Sequence, residues 1–336
     1  MEANRGSMRA TVEVALAAVL LLLVWFTADL LLVIFAGFLL AVFLRGLADL
    51  LARHSTLSRG WSLVTVVVAI CGVLFAAWWF IWPKVAAQID IMITLLPGTI
   101  DSWARSLQTY EWGQWLLRQI PAVETAMFSR ANILSSAVKP LHWAAATVII
   151  LFIGLFHAAE PGLYERGLLR LLPADRRARA AEILKTLGST LRWWMAGRVV
   201  DMVLVGVLDS ITLALLGVPL PLTLGLISGV LTFIPYVGAA IALIPVVLAG
   251  LSVSPSLALW AFLAHTGIQV LDGYVVTPLV QRRAVALPPL ITIGAQFLMG
   301  DLLGFLGLVM ATPLAAIVLV LVKMLYLKEA PGIPAD

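Results

Sequence analysis

The side chains able to carry chemistry are few and concentrated. Between Trp193 and Leu327 only eight are charged: Arg198, Asp201, Asp209, Asp272, Arg282, Arg283, Asp301 and Lys323. None of them falls between Ser210 and Leu271. Asp201 and Asp209 are eight residues apart, which sets them about 80° apart around a helix. Arg198 stands one turn before Asp201, so an ion pair can lower the cost of both. A charge at bilayer depth costs about 2.5–3.5 kcal/mol even on lenient scales, so it tends to face an aqueous path. Arg198 and Asp201 have a bland alternative, which is to snorkel at the cytoplasmic interface. Asp209, in mid-span, has no such escape. Further on, His265, Gln269 and Asp272 recur at helical spacing and make one polar stripe. A histidine titrates near neutral pH, so beside a carboxylate it can relay or exchange a proton. The same stripe also reads as a structural helix contact. Asp272 and Asp209 are the carboxylates expected to bind a proton or sodium ion.

Other candidates sit at breaks in the apolar pattern. Pro235, Tyr236 and Gly238 belong to a Pro-Tyr-Val-Gly run expected to form one hairpin tip, with Tyr236 lining or gating a path. Gly300 and Asp301 are expected at a second tip, where Asp301 either caps the following helix or binds an ion. Gln296 points into the same hairpin and can hold a substrate hydroxyl. No cofactor or metal is expected. The chain holds four histidines and one cysteine, scattered, which is poor material for a metal site. There is no GxxxxGK[ST], HExxH or GxSxG run, so direct ATP hydrolysis and the common hydrolase motifs are unsupported.

The elements that must position these residues follow from composition. Of 336 residues, 62% are hydrophobic and only 12% charged, about half the charge of a soluble domain. Long unbroken apolar runs such as Val14 to Val24 and Val64 to Ala77 exclude a β-barrel, whose strands would alternate. The fold class is therefore an all-α polytopic membrane protein, embedded in the lipid bilayer. Cys71 lies within one apolar run, where no disulfide can form in this chain. The net charge of +4 is spread over short loops and reads as topology, with no nucleic-acid partner expected.

Residues 1–60 hold two spans, about 11–27 and 28–51, and a cationic connector with Arg45, Arg53 and Arg59. Residues 61–158 hold two more, about 61–82 and 141–158, flanking an amphipathic segment at 83–140 expected outside. Trp78, Trp79, Phe80 and Trp82 fit an interfacial belt. Residues 159–192 form the most basic loop, 193–327 the transport core and 328–336 a tail. The excess of Lys and Arg places the N-terminus, the 45–60 connector, the 159–192 loop and the C-terminus in the cytoplasm.

Within 193–327 the chain repeats itself. Shifting Val218–Leu248 by 69 residues lays Pro219 on Pro288, Thr223 on Thr292, Gly225 on Gly294 and Gly238 on Gly307. Each stretch follows a conventional span, about 194–216 and 257–276. The segment 220–234 would cover about 22 Å, short of a hydrocarbon core of about 30 Å. Both stretches therefore read as broken, re-entrant hairpins. Their opposite points of entry make the two span-plus-hairpin units inverted, the architecture of secondary transporters. Gly225 with Gly229, and Gly300 with Gly304, add GxxxG pairs that let helices approach closely.

LGVPLPLTLGLISGVLTFIPYVGAAIALIP, followed by TPLVQRRAVALPPLITIGAQFLMGDLLGFLGLVMATPLAA, resembles the autoinducer-2 exporter family of bacterial permeases. Thr277 stands before Pro278 where that family usually has an acidic residue, and Arg198 follows Gly197 where a glutamine is common. The resemblance implies a secondary transporter in the cytoplasmic membrane, with about eight transmembrane helices, assembled as a homo-oligomer such as a pentamer. Members have been linked to export of the signalling furanone and, in some cases, to sodium/proton exchange. The expected function is export of a small polar solute coupled to a proton or sodium gradient. An intramembrane enzyme using His265 and Asp272 is the alternative, but it lacks a nucleophile or metal partner. A scaffold subunit binding through the basic loop is a third.

Overall fold

The computed structural model describes residues 26–109, 111, 114, 140–280 and 287–327, and every regular element among them is helical. In chain order these are α1 (Ala28–His54), α2 (Arg59–Leu107), α3 (Pro140–Ala159), α4 (Pro161–Arg170) and α5 (Ala174–Leu216). Then come α6 (Pro221–Leu231), α7 (Val237–Leu251), α8 (Pro255–Leu271), a π-helical segment (Asp272–Val276), α9 (Thr277–Val280) and α10 (Pro289–Val322). The expected first span, most of segment 110–139, Arg282, Arg283 and the tail at 328–336 lie outside the described residues.

Four described helices are long and apolar enough to cross a membrane, or five if α3 and α4, bent by 86°, count as one broken span. The protein is thus a helical multi-pass membrane protein. Two of these helices overrun their expected ends. α2 continues through Trp82 and Pro83 to Leu107, because the apolar face that recurs at Val85 carries the helix on past the aromatic belt. α5 spans 43 residues, so the second half of the basic loop is a helical arm continuous with the span. Almost none of the apolar part of α2 is buried, and Val68, Val73, Phe75 and Trp79 are exposed, as suits a helix facing lipid.

α1 is the central post. Leu32, Ala36, Leu39 and Val42 meet Leu191 and Trp194 of α5 and Met310 of α10. Ala41, Leu44 and Ala48, further along it, meet Leu63 and Val66 of α2 and Ala158 of α3. A polar cluster marks one end of this bundle. Arg45 is 3.3 Å from Asp49 and donates to the Ala158 carbonyl, while Arg192 of α5 lies 4.0 Å from Asp49. Arg179 on the α5 arm pairs with Glu182 and donates to the carbonyl of Met324 after α10. The 45–59 connector, the basic arm and the end of α10 therefore share one side.

The two hairpins are built differently from helices that cross. α6 has 11 residues and α7 has 15, about 16 Å and 22 Å of rise. α6 runs antiparallel to α5 at backbone contact. A Cβ on Gly225 would lie 2.6 Å from the Gly206 carbonyl oxygen, and one on Gly229 2.6 Å from that of Met202. α10 looks continuous, but Gly304 has φ 64° and ψ −153°, far from helical. Gln296 and Thr312, 16 residues apart, are in hydrogen-bond contact at 3.4 Å, whereas a straight helix would separate them by about 24 Å. The chain therefore folds back at Gly304.

That corrects the second tip. Gly300 and Asp301 are still in the first arm, and Asp301 is exposed and starts no helix. The break waits for Gly304 because its positive φ, with an extended ψ, is reached by glycine at little steric cost. Leu303 and Leu306 beside this break pack on the cluster around Trp194, and so does Phe233 beside the first break. The two tips converge on one apolar cluster.

Backbone on both sides of Gly229 leaves no flexible side chain to give way. Gly229→Ala is expected to destabilise the protein by about 1–3 kcal/mol through overpacking, despite alanine's better helix propensity. Gly72→Ala, where nothing lies within 4 Å of the new Cβ, is the control. Thermal melting of the purified proteins checks the difference.

Candidate functional site

Polar and charged side chains of α5, α8 and the π-helical segment, with the turn between α6 and α7, form the candidate site. The turn begins where α6 ends: the Thr232 amide and hydroxyl both reach back to the Ser228 carbonyl, at 2.9 and 2.8 Å. Pro235 follows, and the Val237 amide donates to the Pro235 carbonyl at 2.7 Å, closing a three-residue turn around Tyr236. Tyr236 pays with φ 60° and ψ −61°, a strained geometry for a residue with a side chain. The Tyr236 ring is half exposed, and Gly238 is buried in the first turn of α7. Pro235 and Tyr236 thus form the first tip as expected, while Gly238 starts the returning arm.

A cleft of about 170 Å³ opens beside this turn. Arg198, Thr232, Pro235, Tyr236, Gln269 and Asp272 line it, together with Ile234, Ala239, Gly273 and Thr277. Arg198 of α5 forms an ion pair with Asp201 at 3.1 Å, and its other terminal nitrogen donates to the Thr232 carbonyl at 3.3 Å. Both partners are buried, so neither snorkels to an interface. Thr232 ends α6, and its carbonyl is among those a helix terminus leaves without an intrahelical partner.

Asp272 is brought in by the π-helical segment that interrupts α8 and α9. Such insertions often mark functional sites, because they rotate one residue out of helical register. The Asp272 carboxylate is buried and within electrostatic reach of Arg198 and Asp201. Its Oδ1 and the Nε2 of Gln269 have no hydrogen-bond partner among the described residues, nor has Nε of Arg198. An acceptor and two donors with unused capacity thus surround one cleft. Buried polar atoms are rarely left so, and polar occupants satisfy them.

The polar stripe of α8 does not act as one unit. His265, only 2% exposed, turns to α5 and places Nδ1 2.9 Å from Oδ2 of Asp209, which is fully buried. Its Nε2 is 3.4 Å from the Ala239 carbonyl of α7. The expected relay from His265 to Asp272 is therefore replaced by a His265–Asp209 pair, with Gln269 and Asp272 facing the cleft instead. Gln296 is buried in the second hairpin, where it bonds to Thr312. It does not line the cleft.

Several lining groups were not legible beforehand. Thr277 and Gly273 enter through the π-helical register, which no sequence pattern announces. The Thr232 carbonyl is a backbone group. The Asp209–His265 pair had a usable signal, since each is a titratable side chain well inside an apolar helix.

Removing one partner of a buried ion pair leaves a charge without compensation. Arg198→Met is expected to cost about 3–5 kcal/mol by stranding Asp201, while Arg198→Met with Asp201→Leu recovers much of that loss. Melting temperatures of the single and double variants make the comparison.

The chain is similar to bacterial proteins named as transport proteins and permeases. The profile of the "AI-2E family transporter" matches residues 14–326. "Putative transport protein YueF" of Bacillus subtilis is 26% identical over 291 residues, 81% of this chain and 79% of that protein. "Putative transport protein YrrI" of the same organism is 27% identical over 170 residues, 51% of this chain and 48% of its own length. "Putative permease PerM" of Escherichia coli K12 is 25% identical over 281 residues, 78% of each chain. Since the match covers nearly the whole length, including both hairpins and all the residues of the cleft, the chain belongs to the AI-2E transporter family.

Proposed function

We propose that this protein is a secondary active transporter that exports a small polar solute across the cytoplasmic membrane, coupled to a proton or sodium gradient. The observation that carries the reading is the cleft at the strained turn. It joins Arg198, Gln269 and Asp272, with polar atoms still unpartnered, to irregular backbone within a membrane-embedded bundle. Irregular backbone at such depth persists where it lines a cavity or is buried in protein. Solute recognition falls to this cleft, and the coupling carboxylates are Asp272 within it and Asp209 beside it.

The two hairpins support an inverted repeat. Gly238 and Gly307, matched by the 69-residue shift, both sit where a Cβ would collide with a carbonyl oxygen of their own hairpin, that of Leu231 and that of Met299. The tips converge on the Trp194 cluster. Two opposed half-spans that meet this way can alternate access by rocking one unit against the other. With the N-terminal span expected from the sequence, α1, α2, α3, α5, the α8–α9 rod and the two hairpins would give a count of about eight. The shared side of the 45–59 connector, the basic arm and the end of α10 is the cytoplasmic one by the positive-inside rule. Both termini then face the cytoplasm, and the exposed apolar faces leave room for the homo-oligomer the family likeness suggests.

Asp272→Asn keeps the shape of the cleft and removes its unpartnered carboxylate. In proteoliposomes under an imposed proton or sodium gradient, Asp272→Asn is expected to abolish ion-coupled flux while melting near the wild-type temperature. Flux at the wild-type rate sinks the assignment.

A further inference from the structure

The His265–Asp209 pair lies outside the cleft, and its contacts can be read as a count of protons. Nδ1 of His265 meets a carboxylate oxygen at 2.9 Å, and Nε2 meets the Ala239 carbonyl oxygen at 3.4 Å. A carbonyl only accepts. For both contacts to be hydrogen bonds the pair must hold two protons. Either an imidazolium donates from both nitrogens to a carboxylate and the carbonyl, or a protonated Asp209 donates to Nδ1 while Nε2–H donates to Ala239. In both forms the pair is neutral overall.

Take one proton away and the geometry changes its sign. The remaining imidazole proton goes to the carboxylate, the stronger acceptor. The Nε2 lone pair then faces the lone pairs of the Ala239 oxygen across 3.4 Å. The polar contact between the start of α7 and α8 becomes repulsive, while the far end of α7 stays packed on α8 through Val246, Ala249 and Gly250. The pair also acquires a net negative charge at a place where His265 is 2% and Asp209 0% exposed, and buried charge of that kind is costly.

We infer that His265 and Asp209 form a proton-binding site whose occupancy shifts the start of the returning arm of the first hairpin on α8. Its place in transport rests on the reading above, as the coupling-proton site, separate from the solute cleft. Few other charges stand near the pair. α6 and α7 carry no charged or titratable side chain, and the tyrosine between them, Tyr236, is half exposed at the turn. Along α5 the nearest other charges are Arg198 and Asp201, paired with each other, and the rest stand at Arg192 or before it; from the α8 side the next is Asp272 in the cleft.

The arm's position can be read without knowing the solute. With Cys71→Ser as background, spin labels go on Ala240→Cys of α7 and Leu259→Cys of α8, both exposed positions. Distances are measured in nanodiscs frozen at about pH 5 and about pH 8, the range in which an ordinary histidine changes charge. The parent is expected to show one distance at low pH, and at high pH a distribution that lengthens by about 2 Å or splits. Asp209→Asn, whose amide can donate to Nδ1 permanently, is expected to keep the short distance at both pH values, and His265→Gln to lose the pH response. Asp272→Asn is expected to retain it. A parent distance that does not move with pH overturns the proposal, and so does a shift that survives in Asp209→Asn or His265→Gln or vanishes in Asp272→Asn. A static arm in a protein that still carries solute would overturn this site alone. Wild-type flux in Asp272→Asn would overturn the cleft assignment and leave this one standing.

Discussion

Charge buried beyond the reach of water is the constraint on which this architecture depends. α5 carries two carboxylates into the bundle, Asp201 and Asp209, and both are fully buried. Each is tolerable only because a cationic or titratable partner is held against it, Arg198 from the same helix and His265 from α8. Those partners have further hydrogen-bonding capacity, and both direct it to carbonyls of the first hairpin, Thr232 and Ala239. A hairpin inside a membrane has the reciprocal need, since its turn exposes backbone groups that no helix satisfies. At Thr232, which ends α6, the ionic group and the broken backbone therefore solve one another's problem.

Such contacts need the hairpin to lie very close to α5, and the small residues provide that. Gly206 of α5 faces Gly225 and Gly229 of α6 at distances where any side chain would strike backbone. Between helices in lipid, where hydrophobic transfer offers no net gain, close packing of this kind is a main source of association. Larger side chains are confined to the periphery of the tip. Trp194 packs edge-on to Phe233 with ring centroids 5.6 Å apart, and the flank of the second break joins the same cluster. The polar contacts are thus walled on one side by an apolar layer shared by both hairpins.

Much of this was legible in the sequence because it is written in residue type. Apolar runs located α1, α3 and α5, and the scarcity of charge singled out Arg198, Asp201, Asp209, His265 and Asp272. Proline and glycine marked the breaks. What stayed hidden is written in register and in tertiary direction. The polar stripe of α8 predicts that His265, Gln269 and Asp272 share a face, but the π-helical insertion at Asp272 and the position of α5 divide them between two sites. The second tip was misplaced by a few residues, because Gly300 and Gly304 look alike in sequence and only the fold shows which one bends. The length of α2 escaped for a related reason, since an aromatic belt marks where a membrane ends and says nothing about where a helix does.

The placement of the two ionic pairs also bears on how they can communicate. Eight residues separate Asp201 from Asp209, so along the α5 axis they stand about 12 Å apart, too far for one to feel the other strongly through direct contact. Yet Arg198 grips the end of α6 at Thr232, and His265 grips the start of α7 at Ala239. Between these two points lies only the strained turn with Tyr236 at its apex, and the cleft opens on that turn. A segment so short, held at both ends and carrying a residue in a high-energy conformation, has little freedom to absorb a displacement at one end without shifting the other. A change at the His265 end that displaces Ala239 reaches the lining of the cleft on its way to Thr232 and Arg198. The turn is therefore both a wall of the candidate site and a mechanical link between the two buried pairs, beside α5 itself.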